Sequence, residues 1–131
     1  MVIVDTSVWI DYLRGTKTMQ TDWLNRELAR QRLGLIDLIL CEVLQGVRRD
    51  QDFVDVRREL LKFEVFSSGG AELAIAAAQN YRRLRARGLT VTKTIDCRIA
   101  TFCLMNRHAL LHNDHDFDPF EHEFGLKVIY H

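Results

Sequence analysis

Acidic residues recur in this chain near the ends of short apolar runs, where carboxylates could do chemistry. Asp5 follows Val2–Val4, and Asp114 follows the run that begins at Ala109. If these runs are parallel strands, both acids lie at carboxyl ends, the edge at which open sheets bind ligands. These residues also have an ordinary explanation, because Asp5, Thr6 or Ser7 could simply cap a helix that begins near Val8 and stabilise it by about 1 kcal/mol.

A third acid, Asp96, lies in the stretch KTIDCRIATFC. Apolar residues recur there at helical spacing and predict a buried stripe of Ile95, Ile99 and Phe102. Asp96 falls in the first turn of this helix, with Thr94 as the predicted N-cap, and an acid there gains about 0.3 to 1 kcal/mol from the helix dipole. Lys93 could pair with Asp96 or meet a substrate phosphate. A helix-terminal role and a site role both stay open for Asp96.

The fourth acid, Glu42, is the only charged residue between Leu38 and Leu44, which favours burial. Helical periodicity favours exposure instead, since Glu42 points away from the apolar stripe of its own helix. That stripe consists of Leu40, Val43, Leu44 and Val47. The sequence therefore makes Glu42 a candidate and leaves its exposure open.

Two further acids, Asp116 and Asp118, follow in the stretch HNDHDFDPF. Asp118 precedes Pro119 and suits a turn in which its side chain bonds the backbone. The alternating acids resemble a calcium-binding loop, but the glycine and the closing glutamate are missing at the required spacing. His112 and His115 flank these acids, and we interpret both as solvent-facing rather than as metal ligands.

The elements that must position these acids follow from short apolar runs that alternate with longer helical patterns. Strands are predicted at 2–4, about 33–37, about 63–66, 109–112 and 127–130. Helices are predicted from near Val8 and over about 18–31, 39–47, 51–62, 71–87 and 95–106, with Gly88 ending the 71–87 helix. This order predicts one α/β domain over residues 1–131, in which a central parallel sheet is flanked by helices in three layers.

Charge balance, the length of apolar runs and cysteine spacing indicate which substrates and which cellular location suit this chain. The 131 residues carry 18 acidic and 18 basic side chains. If four of the acids share a pocket, 14 acids face 18 basic groups elsewhere, a surface charge of +4 that permits a polyanionic substrate. Without a transmembrane-length apolar run or a signal peptide, the chain is expected to be cytoplasmic. The cysteines lack disulfide or metal-binding spacing, and we interpret all three as reduced core residues: Cys41, Cys97 and Cys103.

The opening stretch VDTS excludes two other α/β classes that carry acids at strand ends. A phosphorelay receiver domain needs an adjacent acidic pair after its first strand, where this chain has Asp5 alone. A phosphatase of the D-x-D-x-T type needs a second aspartate at the position of Ser7.

Taken in their order along the chain, the motifs that carry these acids resemble those of a known protein family. The chain resembles a PIN-domain ribonuclease of the VapC toxin type: IVDTSVWIDYLRG is similar to the opening strand and helix of that family, and CEVLQG to its Glu-bearing helix. TIDCRIA is similar to its third acidic motif and NDHDF to its fourth. The resemblance covers nearly the whole chain and implies a PIN-like fold. It also implies one pocket lined by Asp5, Glu42, Asp96 and Asp114.

The resemblance implies hydrolysis of RNA phosphodiester bonds with Mg²⁺, or Mn²⁺ in its place, since hard cations take oxygen ligands. Asp5 would be the central ligand, and Asp96 and Asp114 would complete one metal site. Glu42 would serve a second metal or orient the nucleophile, and Asp116 would act through water.

Supporting residues and the substrate follow from the same resemblance. Thr6 or Ser7 would hydrogen-bond a carboxylate, and Lys93 is a candidate RNA contact. The substrate would be single-stranded or loop RNA, commonly transfer or ribosomal RNA. Aromatic side chains could stack on its bases, although packing in the core is the favoured interpretation for all three candidates: Trp9, Tyr12 and Trp23.

The resemblance also implies partners. A VapB-like antitoxin would bind and neutralise the protein, and DNA would be contacted only through that antitoxin. The chain is also expected to form a homodimer and to make no contact with a membrane. Two alternatives stay open: a catalytically silent PIN-like module that binds RNA or a protein, and a housekeeping RNA-processing nuclease.

Overall fold

The computed structural model describes residues 1–91 and 93–130. Its strands are β1 (Val2–Val4), β2 (Leu33–Ile36), β3 (Glu64–Phe66) and β4 (Ala109–Leu111). Its helices are α1 (Thr6–Arg14), α2 (Met19–Glu27), α3 (Asp37–Gln45), α4 (Asp50–Leu60), α5 (Gly70–Ala86), α6 (Thr94–Asn106) and α7 (Asp118–Phe124), with a 3₁₀ helix at His115–Phe117.

The four strands form one parallel sheet in the order β3-β2-β1-β4. Val2 lies opposite Leu33 on one side and Ala109 on the other. All residues of β1 and β2 are buried, because helices flank the sheet and leave no solvent-facing side for these strands. The α/β fold with a central parallel sheet is confirmed.

The core extends from the sheet to the helices that carry the candidate site. Trp9 of α1 and Phe120 of α7 are almost fully buried, as are Ile3 and Ile99. A side chain of this size contributes on the order of 2 kcal/mol when it leaves water. The ends of α1 and α6 that carry acids are therefore held in place by apolar packing. None of the helices in the described part of the chain has the length and apolar character that crossing a membrane requires.

The predicted strand at 127–130 is wrong. Only Val128 bridges to β4, at Leu110. The Leu110 amide donates to the Lys127 carbonyl, and the Ile129 amide donates to the Leu110 carbonyl. Tyr130 is 72% exposed, so the apolar run ends beside the sheet edge after a single bridge.

The acidic turn near Pro119 also differs from the expectation, since it contains the 3₁₀ helix and α7. Proline lies in the first turn of α7, where its missing amide hydrogen has no cost. The 94–106 helix has Lys93 at its N-cap without a side-chain bond, so the predicted Thr94 cap is wrong. Gly88 follows α5 with a φ of +74°, as predicted for a residue that ends a helix.

The cysteines are free, as expected. Cys97 and Cys103 are buried, but Cys41 is exposed, and its assignment to the core is wrong. The helical face of α3 explains the difference, because Ile39 and Val43 are the buried residues of that helix and Cys41 points away from them.

Candidate active site

Asp5 lies where β1 passes into α1. Its amide donates to the Leu111 carbonyl at 2.9 Å, which extends the β1–β4 pairing by one residue. Its Oδ2 accepts the Ser7 amide at 3.1 Å and the Ser7 hydroxyl at 2.7 Å, so Asp5 does cap α1. The side chain is nevertheless buried, at 3% exposure. Burial raises the pKa of Asp5 to about 6 against the lowering effect of the Ser7 hydrogen bonds, and the Glu42 charge raises it further.

Ser7 connects the start of α1 to the loop after β4. While its hydroxyl donates to Asp5, its oxygen accepts the Asn113 amide at 3.0 Å. The orientation of the Asp5 carboxylate is therefore coupled to the loop that carries Asp114.

Glu42 is half-buried on α3, between the two alternatives that its sequence left open. The Thr6 hydroxyl of α1 donates to its Oε1 at 2.7 Å. This bond joins α1 to α3, two helices that pack against each other. Each of the two candidate supporting hydroxyls thus contacts a different carboxylate: Thr6 contacts Glu42, and Ser7 contacts Asp5.

Asp96 is the third residue of α6 and is 4% exposed. Burial raises the pKa of Asp96 to about 7, with further contributions from the charges of Asp5 and Asp114. Its Oδ2 is buried and has no hydrogen-bond partner among the residues described. A buried carboxylate oxygen without a donor is costly to ionise, and this cost agrees with the raised pKa of Asp96.

Asp114 and Asp116 come from the turn that follows β4. The Asp116 amide donates to Oδ1 of Asp114 at 2.9 Å, which starts the 3₁₀ helix. One carboxylate oxygen from each of Asp96, Asp114 and Asp116 lies within 4.8 Å of the others. The structure thus brings both loop acids to Asp96. Asp5 and Glu42 lie outside this group of three, and their charges still act on Asp96.

Lys93 lies at the entrance to this cluster. Its Nζ is 3.7 Å from Oδ2 of Asp114, so the ion pair forms with Asp114 and not with Asp96. The negative charges of Asp96 and Asp114 raise the pKa of Lys93. Its side chain is 57% exposed, which leaves the ammonium group able to turn towards a substrate.

The cluster suits a hard divalent cation. Carboxylate oxygens are the preferred ligands of Mg²⁺ and Mn²⁺, and the group of three contains no cysteine or histidine. The unpartnered Oδ2 of Asp96 is a ligand atom that the protein itself does not satisfy. A cation would offset the repulsion among these acids, which burial otherwise strengthens.

His112 is a residue that the sequence interpretation misplaced, because it is partly buried and not solvent-facing. Its Nδ1 accepts the Asp114 amide at 3.1 Å, and its ring lies 4.9 Å from the Phe117 ring. Burial lowers the pKa of His112, which favours the neutral ring that this acceptor role requires. No local sequence signal indicates this contact. His115 is exposed as interpreted, with Nδ1 3.0 Å from Asp118.

The aromatic candidates for base stacking belong mainly to the core. Trp9 and Trp23 are buried, at 1% and 8% exposure. Tyr12 is half-buried, with its ring edge-on to Trp9 at 6.0 Å. The core interpretation is confirmed for both tryptophans.

With fold and site described, comparison with known proteins gives consistent matches. The PIN domain family model matches residues 2–122. VapC ribonuclease Mb1587 of Mycobacterium bovis and ribonuclease VapC11 of Mycobacterium tuberculosis are each 30% identical over 120 residues, which is 90% of this chain and 90% of theirs. The chain therefore belongs to the PIN domain family, and within it to the VapC type.

Solved structures with the same fold come from several bacteria. VapBC2 of Rickettsia felis, bound to a promoter DNA fragment, matches with a TM-score of 0.78 at 14% identity over 98% of both chains. DNA-bound VapBC of Salmonella typhimurium matches with a TM-score of 0.78 at 17% identity over 98% of this chain and 96% of that one. FitAcB of Neisseria gonorrhoeae matches with a TM-score of 0.77 at 15% identity over 99% and 97%. At such identities these matches support the fold.

Proposed function

We propose that this protein is a metal-dependent endoribonuclease and the toxin of a toxin–antitoxin pair. The observation that carries the proposal is the group of the buried Asp96 and the half-buried Asp114 and Asp116, with Asp5 and Glu42 close enough to act on its charge. The curated relatives named as ribonucleases support the reaction class. We further propose that residues 1–131 act as one domain.

We propose Mg²⁺, with Mn²⁺ as a substitute, as the cation. Asp96 and Asp114 would hold it, and Asp5 would be a shared ligand at the edge of the cluster. Asp116 would contribute directly or through water, since one of its carboxylate oxygens lies within 4.8 Å of one from each of the other two acids of the group. Glu42 would serve a second cation or orient the nucleophile. When bound, the cation would supply Lewis-acid stabilisation of charge on the phosphate oxygens.

The protein's own residues would prepare the site for this chemistry. Asp96, whose pKa is about 7, would hold a proton in part of the molecules at neutral pH and release it when a cation binds, whereas Asp5, whose pKa is about 6, would be mostly ionised there. Ser7 and Thr6 would keep the Asp5 and Glu42 carboxylates oriented through their hydroxyl hydrogen bonds. Lys93 would exchange Asp114 for a substrate phosphate.

Single-stranded or loop segments of transfer or ribosomal RNA are the proposed substrates, because their phosphates and bases are accessible. Metal-dependent cleavage of total cellular RNA, with the product ends mapped, tests the reaction and finds the target together. Cleavage that continues in excess chelator would overturn the metal assignment. Binding without cleavage in every divalent metal would favour a silent RNA-binding module.

We propose a VapB-like antitoxin as the partner, and a groove between α1 and α4 as the surface that accepts its apolar segment. The groove has a volume of about 440 Å³, and Val43 and Gly46 at the end of α3 also line it. Its apolar lining includes Ile10, Leu13 and Val56. Leu13 is 37% exposed, so an amphipathic helix would remove it from water.

Growth assays test the partner. Expression of the chain alone should arrest bacterial growth, and co-expression of the small protein encoded beside it should restore growth through a stable complex. Leu13→Glu should prevent that rescue, whereas Met19→Glu should not, since Met19 is exposed outside the groove. Unaffected growth with an active chain would favour a housekeeping nuclease.

A further inference from the structure

A cleft between α5 and α6 carries positive charge next to the acid cluster. Its volume is about 640 Å³, and its floor is formed by small and aromatic residues that include Ala77, Tyr81 and Cys97. Arg82 and Arg85 line it from α5, and Arg98 lines it from α6. The lining contains no acidic residue within the described part of the chain, so three formal positive charges face one another.

The arginines of this region divide into two groups by their contacts. On the side of α7, Arg83 lies over the Phe124 ring at 5.0 Å, and Arg87 forms an ion pair with Glu123. On the side of the cleft, Arg82, Arg85 and Arg98 have no acidic partner among residues 1–91 and 93–130. The α7-side arginines contribute to packing, and the cleft-side arginines retain their charge for an external anion.

Two of the cleft arginines are already positioned. The Arg85 guanidinium lies 5.8 Å from the centre of the Tyr81 ring, an arrangement that presents both a cation and an aromatic face. The Nε of Arg98 is buried without a hydrogen-bond partner among the described residues. A buried donor without an acceptor is costly, and an anionic oxygen would satisfy it once the Arg98 side chain shifts enough to expose that nitrogen.

The cleft borders the acid cluster at the start of α6. Thr94 lines the cleft, and the preceding residue, Lys93, forms an ion pair with Asp114 of the cluster. At about 100° per residue, Asp96 lies roughly 160° around α6 from Thr94 and therefore faces the other side of the helix. A strand reaches both surfaces by crossing the N-terminus of α6 over Lys93.

We propose that the α5–α6 cleft binds the phosphodiester backbone of the RNA strand that enters the acid cluster, with Arg82, Arg85 and Arg98 as phosphate-binding residues. The entry into the cluster rests on the proposed ribonuclease function. Guanidinium groups bind phosphate through two parallel hydrogen bonds, and a basic groove with an aromatic residue is typical of single-strand binding. Such contacts position the strand without selecting its sequence.

The test measures RNA binding and cleavage separately. A fluorescein-labelled single-stranded oligoribonucleotide is titrated with metal-free protein at several salt concentrations, and the triple variant Arg82→Gln, Arg85→Gln, Arg98→Gln is compared with the parent. We expect at least tenfold weaker binding at about 100 mM salt, and a salt slope smaller by about 2, since each single-strand phosphate contact contributes about 0.7. In cleavage assays, KM should rise more than kcat falls.

A matched triple variant removes the same charge elsewhere: Arg26→Gln, Arg30→Gln, Arg57→Gln. These side chains are exposed and lie outside the cleft. Affinity of this control should stay within about threefold of the parent. Equal losses in both triple variants would overturn the proposal, because net charge alone would then explain binding. A DNA strand of the same sequence should lose the same factor in the cleft variant, since phosphate contacts do not read the 2′-hydroxyl.

Two further measurements keep the outcome unambiguous. Arg82→Gln and Arg85→Gln alone alter exposed side chains, so they test the cleft even if loss of Arg98 impairs folding. Sedimentation of the parent and the triple variant tests a second copy of the chain as the occupant. An altered mass with unchanged RNA affinity would overturn the proposal. A parent that binds RNA but never cleaves it would contradict the proposed ribonuclease function and not the cleft.

Discussion

The exposed acids of α4 and the acids at the carboxyl edge of the sheet are the same kind of group in two different environments. On α4, Asp52 accepts Arg49 at 2.8 Å, and Glu59 accepts Lys62 at 3.0 Å, both at the exposed surface. The hydrogen bond from Arg49 lowers the pKa of Asp52. At the carboxyl edge of the sheet, burial raises the pKa of Asp5 to about 6 instead.

The contrast shows what makes a carboxylate available for function. Asp52 and Glu59 each have a cation one turn away and water around them, so their charges are already balanced. The acids at the sheet edge share one ammonium group, Lys93, and they repel one another where water is excluded. That unbalanced charge is what a divalent cation can neutralise.

The largest expected effect separates the two sets by activity. Asp5→Asn keeps the shape of the side chain and removes its charge, so cleavage of RNA should fall on the order of 10³-fold, about 4 kcal/mol of transition-state stabilisation. Glu59→Gln should cleave at the parent rate. Initial rates at saturating Mg²⁺ provide the measurement. An Asp5→Asn variant within tenfold of the parent would reduce Asp5 to a helix cap.

The next effect concerns pH in the absence of metal. Above about pH 4 the unfolded acids are ionised, while folded Asp96 keeps its proton up to its pKa of about 7. The folded state then binds more protons, so this group lowers the free energy of unfolding as pH rises from 4 to 7. The lowered pKa values of His108 and His112 raise the free energy of unfolding as pH rises. Because the parent and Asp96→Asn share both histidines, the difference between the two proteins removes this contribution.

Denaturation of the parent and Asp96→Asn at pH 5 and pH 8 therefore isolates this group. We expect the variant to gain on the order of 3 kcal/mol relative to the parent over that range. In metal-free buffer at pH 8 its melting temperature should equal or exceed that of the parent. A variant that is less stable by the same amount at both pH values would mean that Asp96 serves only the helix terminus.

A smaller effect comes from added metal. Mg²⁺ at about ten times its Kd should stabilise the parent by about 1.4 kcal/mol, a shift of several degrees in Tm. Asp96→Asn should gain much less, because it loses a ligand of the proposed site. Thermal melts at matched ionic strength measure both shifts. Equal shifts in the two proteins would remove Asp96 from the metal site.

The smallest effect is expected on α4. Glu59→Gln breaks an exposed ion pair and should change Tm by less than about 2 °C, with no dependence on Mg²⁺. A larger loss, or a loss that responds to Mg²⁺, would show that the two sets of acids are not independent.

Most of the elements could be predicted because their signals are local. The apolar run of β1 and the helical spacing of apolar residues in α5 each predict their element without information from the rest of the chain. Both elements agree with the prediction to within a residue at each end. The segment at 127–130 has the same apolar character as a strand, but pairing depends on the edge of β4, which offers one bridge. Pro119 suits a turn and a helix start equally well, so α7 depended on how Phe120 packs in the core.

The sequence was enough to place Asp5 and Asp114 at strand ends and Asp96 in the first turn of α6, since strand and helix periods are properties of a few consecutive residues. The pairing of β1 with β4, which makes those two strand ends neighbours, came from the tertiary structure. Only the tertiary structure decided which groups meet: Asp116 joins Asp96, and Thr6 bonds Glu42. It also decided their ionisation and the position of the arginine cleft. Desolvation and Coulomb energies depend on neighbours in space, and these neighbours come from segments far apart in the chain.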